Sequence, residues 1–363
     1  MAGAARSALG LLAALAAAFA AAPALASDTL SVAAVGDVML GTAYPSAGYL
    51  PPNNDCSPLL ALVKPHIQAA DVAFANLEGA LTDTLKDVKT CANPKWCYAF
   101  AMPVSYAACI ADAGFDLLSV ANNHTGDFGA QGQASTARAL AQHGLAFAGM
   151  RSCPAATVER KGLKVGFCAF APNAGMCSIN NLSAAEKIVR TLDSLCDVVI
   201  VSFHGGAEGA KMSRVTRQTE MFVGENRGNV YMFAHRMVDA GADILLGHGP
   251  HVPRAVELYR RRFIAYSMGN FCTYSRMNVQ GVNGLAPIIK LSVDGKGEFL
   301  EGEIISALQE EGKPVTPDSA HRAAKEIRRL TALDFPESPL TVDEQGKLTV
   351  GEQGKMRAPD GKP

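Results

Sequence analysis

The chain has 363 residues, of which 48% are hydrophobic and 18% charged, and this excludes a chain disordered throughout. At about 150 residues per domain, one large domain or two ordinary ones fit that length. Lys plus Arg number 33 against 34 Asp plus Glu, a net charge of −1, which argues against a nucleic-acid or anionic-membrane binder held by a basic surface.

Residues 1–26 read as an export signal: Arg6 supplies the positive start, an Ala/Leu run follows from Ala8, Pro23 breaks it, and Ala24-Leu25-Ala26 precedes Ser27. The run is about 15 residues, short of the ~20 that span a bilayer, and no later segment is long and apolar enough. The expected mature protein starts near Ser27 and lies in the periplasm or outside the cell, with no membrane span. The nine cysteines then become disulfide candidates. Cys91 with Cys97 is the first choice, and Cys168 with Cys177 is also close in sequence. Cys109, Cys168 and Cys196 sit in apolar stretches that suit buried thiols. No CxxC occurs, which speaks against a thiolate zinc site.

Beyond the signal, strand and helix patterns alternate. Leu30–Val35 is a short apolar run ending at Gly36-Asp37, a buried strand. A helix is expected over Pro58–Ala69, a strand over Val72–Ala75 ending at Asn76, and a Cys-bearing loop over Leu81–Phe100. A helix at Tyr106–Ala113 stops at Gly114, and the strand Leu117–Val120 ends in Ala121-Asn122-Asn123-His124. Gly132–Gly144 is helical, Val165–Phe170 a strand, Ala184–Leu195 helical, and Asp197–Ser202 a strand ending at Phe203-His204. The helix Val230–Ala240 leads to the strand Asp243–Leu246 and Gly247-His248. Val256–Tyr259, Arg262–Ser267 and Ile288–Val293 follow as strands. This order predicts an α/β sandwich as one domain over residues 27–335. From Pro336 apolar residues thin out, and 336–363 reads as a weakly ordered tail.

Strand after strand ends in a residue able to bind metal: Asp37, then Asn76 and Glu78, then Asn123 and His124, then His204, then His248 and His251. In open α/β sheets, sites form outside the carboxyl ends of the strands, so these side chains are expected to converge. The mixed oxygen and nitrogen set suits Mn, Fe, Zn or Mg rather than a thiolate site. One or two such ions polarise a phosphate oxygen and make hydroxide available near neutral pH. Taken singly, Asp37 reads equally as a turn residue, Glu78 as a solvated charge and His204 or His248 as core histidines. His66, His143, His235 and His321 lie in helical or loop contexts and read as structural.

At these residues the sequence resembles the capsule-synthesis CapA (poly-gamma-glutamate biosynthesis) family, within the calcineurin-like metallophosphoesterases. The matching stretches are Val35-Gly-Asp-Val-Met-Leu-Gly41, Ala75-Asn-Leu-Glu-Gly79, Ser119-Val-Ala-Asn-Asn-His124, Phe203-His204 with Glu208, Gly241-Ala-Asp-Ile-Leu-Leu-Gly-His248, Pro250-His-Val252 and Ala265-Tyr-Ser-Met-Gly-Asn-Phe271. The resemblance implies a four-layer α/β/β/α sandwich and a divalent-metal centre. Asp37, Glu78 and His251 would hold the first ion, and Glu78, Asn123, His204 and His248 the second, with Glu78 bridging. His124 would protonate the leaving group as the catalytic acid. Asn76 and Asn270 would support the ligands, Glu208 would orient His204 or touch substrate, and Arg254 would offer a fork to a phosphate or carboxylate.

Met39 stands where metallophosphoesterases usually carry a histidine, as is usual in this family. Three features depart from the family pattern. Gly205 and Gly249 stand where Trp and His are common, and Met212–Val230 is longer and more polar. The implied partner is an anionic envelope polymer or its phosphorylated precursor. Two readings follow: an exported metal-dependent phosphoesterase, or a non-catalytic factor on the same fold that binds or assembles the polymer.

Overall fold

The computed structural model describes residues 29–91 and 97–351, and the expected export signal lies outside them. Its principal strands are β1 (Thr29–Met39), β2 (Val72–Leu77), β3 (Leu117–Ser119), β4 (Ala146–Ala148), β5 (Ala155–Arg160), β6 (Leu163–Phe170), β7 (Val198–His204), β8 (Ile244–His248), β9 (Val256–Tyr259), β10 (Arg262–Ala265), β11 (Asn270–Thr273), β12 (Leu285–Asp294), β13 (Phe299–Leu308), β14 (Leu340–Val342) and β15 (Lys347–Val350). The helices are α1 (Ser57–Leu60), α2 (Lys64–Gln68), α3 (Tyr106–Asp112), α4 (Gly129–Gln142), α5 (Leu182–Asp193), α6 (Val230–Asp239) and α7 (Arg322–Asp334).

Two sheets face each other. The larger runs β14-β15-β13-β12-β1-β2-β3-β4, with β11 alongside the end of β1. The other runs β9-β10-β8-β7-β6-β5. β1 through β4 are parallel neighbours, and so are β6, β7, β8 and β10. Their carboxyl ends therefore open on one rim. These strands are buried on both faces, so they read as continuous apolar runs rather than alternating ones. Along β7, Val198 and Ile200 join the core between the sheets, while Val199 and Val201 pack with Val189, Phe233 and Met237 of α5 and α6. Across the middle, the Phe74 and Phe167 rings meet edge to face, 5.7 Å between centroids. The result is the four-layer α/β/β/α sandwich.

Both outer helices on the second sheet are capped from sequence. The Asn181 side chain accepts from Ala184 N at the start of α5, and Asn229 does the same for Met232 N at α6. In α5, Ala185, Val189 and Leu192 form the buried face at helical spacing.

Several expectations shift. The helix expected over Pro58–Ala69 is divided into α1 and α2, with Pro65 in the first turn of α2, because proline lacks the N–H and disfavours helix in the residue before it. Residues 336–351 do not form a tail. β14 and β15 pair with each other and β15 joins β13, burying Leu340, Val342 and Leu348. Residues 352–363 lie outside the described part.

Cys91 and Cys97 are disulfide-bonded as expected, whereas Cys168 and Cys177 are free thiols. Cys109 is not a free buried thiol: it is bonded to Cys56, tying α3 to the start of α1 across 53 residues. Closing a loop of that length restricts the unfolded chain by roughly 4 kcal/mol in the chain-entropy account. The double variant Cys56→Ser/Cys109→Ser is therefore expected to lose about 2–4 kcal/mol in guanidinium unfolding. A loss under about 1 kcal/mol would show that this cross-link carries no such constraint.

Candidate functional site

The rim gathers residues from both sheets. Asp37 pairs in register with Asn76 on β2 and with Asn270 on β11, and His248 pairs with His204. Asp37 is fully buried. Its Oδ1 accepts from Asn76 Nδ2 at 2.8 Å and faces His248 Nδ1 at 3.2 Å, while its Oδ2 faces His251 Nδ1 at 2.8 Å. Glu78, just past β2, is also fully buried; its Oε2 accepts from Asn76 Nδ2 at 2.5 Å and lies 3.5 Å from His204 Nδ1. His251 sits in left-handed backbone, φ 56°, and its carbonyl accepts from Asn283 Nδ2 at 3.0 Å.

The charges settle accordingly. Burial pushes the Asp37 carboxyl up, but the hydrogen bonds from His248 and His251 outweigh it and hold it far below the usual carboxylate range. Burial, with Asp37 nearby, pushes Glu78 up to about 8. For His251 burial acts downward, and the hydrogen bond and charge of Asp37 overcome it, raising the ring to about 9. Burial first, and then the Arg227 charge, hold His204 well below its ordinary value, so it is neutral.

His124 stands at the turn after β3, held by a network that the sequence only half announces. Asn122 donates to Asn76 Oδ1 at 3.1 Å and to Leu77 O at 2.8 Å, and its own Oδ1 accepts from His124 N at 3.0 Å. His124 Nδ1 lies 2.8 Å from Asp127 Oδ2, and Lys89 Nζ lies 2.6 Å from Asp127 Oδ1. The Phe100 ring covers His124 at 4.3 Å. Burial lowers the His124 pKa despite the Asp127 charge. Asp127 was legible as a carboxylate three residues after His124; Lys89 had no local signal.

Asn76 Nδ2 donates to both Asp37 and Glu78. Asn270 donates to Asn278 O and Asn283 O and keeps a buried Oδ1 with no partner. Glu208 reaches His204 only through Arg227: Glu208 Oε1 lies 3.1 Å from Arg227 Nη2, which lies 3.1 Å from His204 Nε2. Arg254 is not available to substrate. It is fully buried and grips Glu220 with two bonds, Nη1 to Oε1 at 2.9 Å and Nη2 to Oε2 at 2.7 Å. Its closeness to His251 in sequence misleads, because the side chain turns into the 207–220 loop.

Whether these residues suit a divalent ion can be tested on their unmet bonding. Glu78 Oε1, Asn123 Oδ1, His204 Nδ1 and His248 Nε2 are all buried with no hydrogen-bond partner. Orphaned buried polar atoms are costly, and a cluster of them on ligand-type residues matches what a cation would satisfy. Among the described residues, no three His, Cys, Asp or Glu side chains are already disposed to hold an ion. Instead Asp37 is paired with two imidazoles. The donor types fit a divalent cation, and loading would exchange those imidazole–carboxylate contacts for bonds to the ion.

Comparison with known proteins bears on the same stretch. The family model for the bacterial capsule synthesis protein PGA_cap matches residues 31–275, which spans every residue of the cluster. Curated relatives include the capsule biosynthesis protein CapA of Bacillus anthracis, 25% identical over 264 residues, covering 68% of this chain and 60% of that protein. The PGA biosynthesis protein CapA of Bacillus subtilis strain 168 is 26% identical over 261 residues, covering 67% and 63%. This chain thus spans about three fifths of the length of these relatives. Among solved structures, a 5'-nucleotidase precursor from Thermus thermophilus aligns with TM-score 0.43 and 14% identity over 79% of this chain and 56% of that one.

Proposed function

The chain belongs to the bacterial capsule synthesis protein PGA_cap family, and from that premise we propose that it is an exported, metal-dependent phosphoester hydrolase acting on an anionic envelope polymer or a phosphorylated precursor of one. The observation that carries this reading is the group of buried, unpartnered donor atoms on Glu78, Asn123, His204 and His248 beside the ionised Asp37. Asp37, Glu78, His248 and His251 would hold a divalent cation, with Asn123 and His204 as further donors. When bound, such an ion supplies charge neutralisation at the phosphoryl group and activates water near neutral pH. Asn76 fixes the spacing of Asp37 and Glu78, so both carboxylates are set before anything binds. His124, steadied by Asp127, would exchange a proton with the leaving oxygen.

Two disulfides are compatible with export, and among the described residues no helix is long and apolar enough to cross a membrane. The second reading is a polymer-binding assembly factor on the same fold. An assay on an aryl phosphate separates the two. The enzyme reading expects hydrolysis on adding Mn and its loss with a chelator. No turnover under Mn, Fe, Zn or Mg, with binding of an anionic polymer retained, would hand the function to the assembly factor.

A further inference from the structure

Three loops meet at the rim: residues 41–50 after β1, residues 97–100 leading to the Phe100 ring over His124, and residues 274–283 after β11. Ala43 N donates to Ala101 O at 2.8 Å, Tyr274 N to Met39 O at 2.9 Å, and Ser275 Oγ to Tyr49 O at 2.9 Å. The third loop then returns to the site, where Asn283 Nδ2 donates to His251 O at 3.0 Å. Between the loops stands Arg276, its Cζ 4.9 Å from the Tyr49 ring centroid and 5.3 Å from that of Tyr98. We infer that Arg276 is a second anchor for the substrate: it binds a carboxylate or phosphate group remote from the scissile phosphoester. The inference rests on the hydrolase reading above, which places the other end of the substrate at the cluster around Asp37 and Glu78.

The first ground is unspent charge. Each of the other cations near the cluster has a carboxylate: Lys89 has Asp127, Arg227 has Glu208 and Glu225, and Arg254 has Glu220. Among the described residues the Arg276 guanidinium meets two ring faces and no carboxylate. Its Nε is buried with no hydrogen-bond partner. A guanidinium is all donors and keeps its proton in proteins, so what it lacks is an acceptor, and an oxyanion supplies one with the matching charge.

The second ground is shape. Both distances lie within the reach of a cation held over an aromatic face. The rings hold the guanidinium plane and leave its edge for a ligand. That edge is a planar fork that fits a carboxylate or phosphate through two bonds at once. Holding the side chain beforehand reduces the freedom lost on binding. Tyr49 is 38% and Tyr98 39% exposed, so the stack stands where a ligand can reach it.

The third ground is reach. The Tyr98 ring lies 6.5 Å from that of Phe100, which lies 4.3 Å from that of His124. Three ring contacts thus join the free guanidinium to the proposed acid. A substrate with its phosphoester beside His124 and a second acidic group further along its chain would engage both, as a repeating acidic polymer does. A phosphomonoester with no second charge would engage only the cluster.

The test is a molecular ruler. Full-length, Mn-loaded protein is titrated by calorimetry with alkyl phosphonates of graded length whose far end is a carboxylate, a second phosphonate or a neutral amide. Turnover of the matching alkyl phosphates is measured alongside. In the wild type an acidic end is expected to tighten Kd about 10–100-fold over the amide once the chain is long enough to span. Arg276→Met should remove that gain, so that the three ends bind alike, and Arg276→Gln, which keeps a polar side chain should the first variant fold poorly, should do the same. The end that gains more identifies the group as carboxylate or phosphate. No gain at any length, or a gain that survives both variants, would overturn the inference. A gain lost in the variants, but with no turnover of the phosphates, would sink the hydrolase reading and leave Arg276 its role.

Discussion

His124→Ala should lower phosphoesterase turnover by about 10²–10⁴-fold while leaving folding and metal content unchanged, the range typical of a lost general acid. The ring is positioned for that task without touching the proposed ion. Asn122 fixes its backbone, and Asp127 holds Nδ1 at 2.8 Å, which leaves Nε2 as the nitrogen that exchanges a proton. The decrease should be largest on alkyl phosphates, whose leaving groups need protonation, and small on aryl esters with good leaving groups. His248→Ala should differ in kind, losing metal and rate together, because its Nε2 is one of the unmet buried atoms. Full activity of His124→Ala on an alkyl phosphate would remove the acid from the scheme.

Arg254→Met should cost the fold about 3–5 kcal/mol in urea unfolding, as expected when one partner of a buried ion pair is deleted. The pair is dry on both sides, Arg254 unexposed and the Glu220 side chain 3% exposed. Arg254 also donates from Nε to Met212 O at 2.8 Å, and Glu220 Oε2 accepts from Ala207 N at 2.8 Å. Removing the guanidinium strands the Glu220 charge in the interior. Arg254→Met combined with Glu220→Leu should recover part of the loss, since no buried charge is then left alone. A loss below about 1 kcal/mol in the single variant would mean that water reaches Glu220 and the pair is structurally incidental.

The strand ends were readable because buried parallel strands are unbroken apolar runs, so a polar residue closing each run stands out. Asp37, Glu78, His204 and His248 were found that way, and parallel register then brings them to one rim. β13 was missed because it lies near the sheet's edge: Leu300 and Glu301 are exposed while Phe299 and Ile304 are buried, and the apolar run never forms. The β14–β15 hairpin was missed for the same reason, its few buried residues being spaced among Thr, Asp and Lys. The Cys56–Cys109 bond joins residues whose nearness is set by packing alone. Arg227 and Arg254 had no periodic signal. Each is an arginine in a loop, and only the folded loop decides that one enters the cluster and the other turns away from it.

The rim is assembled from two separate sheets. Asp37, Glu78, Asn123 and His124 ride on the first, while His204, His248 and His251 ride on the second or the loop leaving it. Anything gripped between them is a clamp across the seam of the sandwich. Phe74 of the first sheet meets Phe167 of the second in the interior and also lies 5.5 Å from the His248 ring, so the packing between the sheets reaches the rim directly.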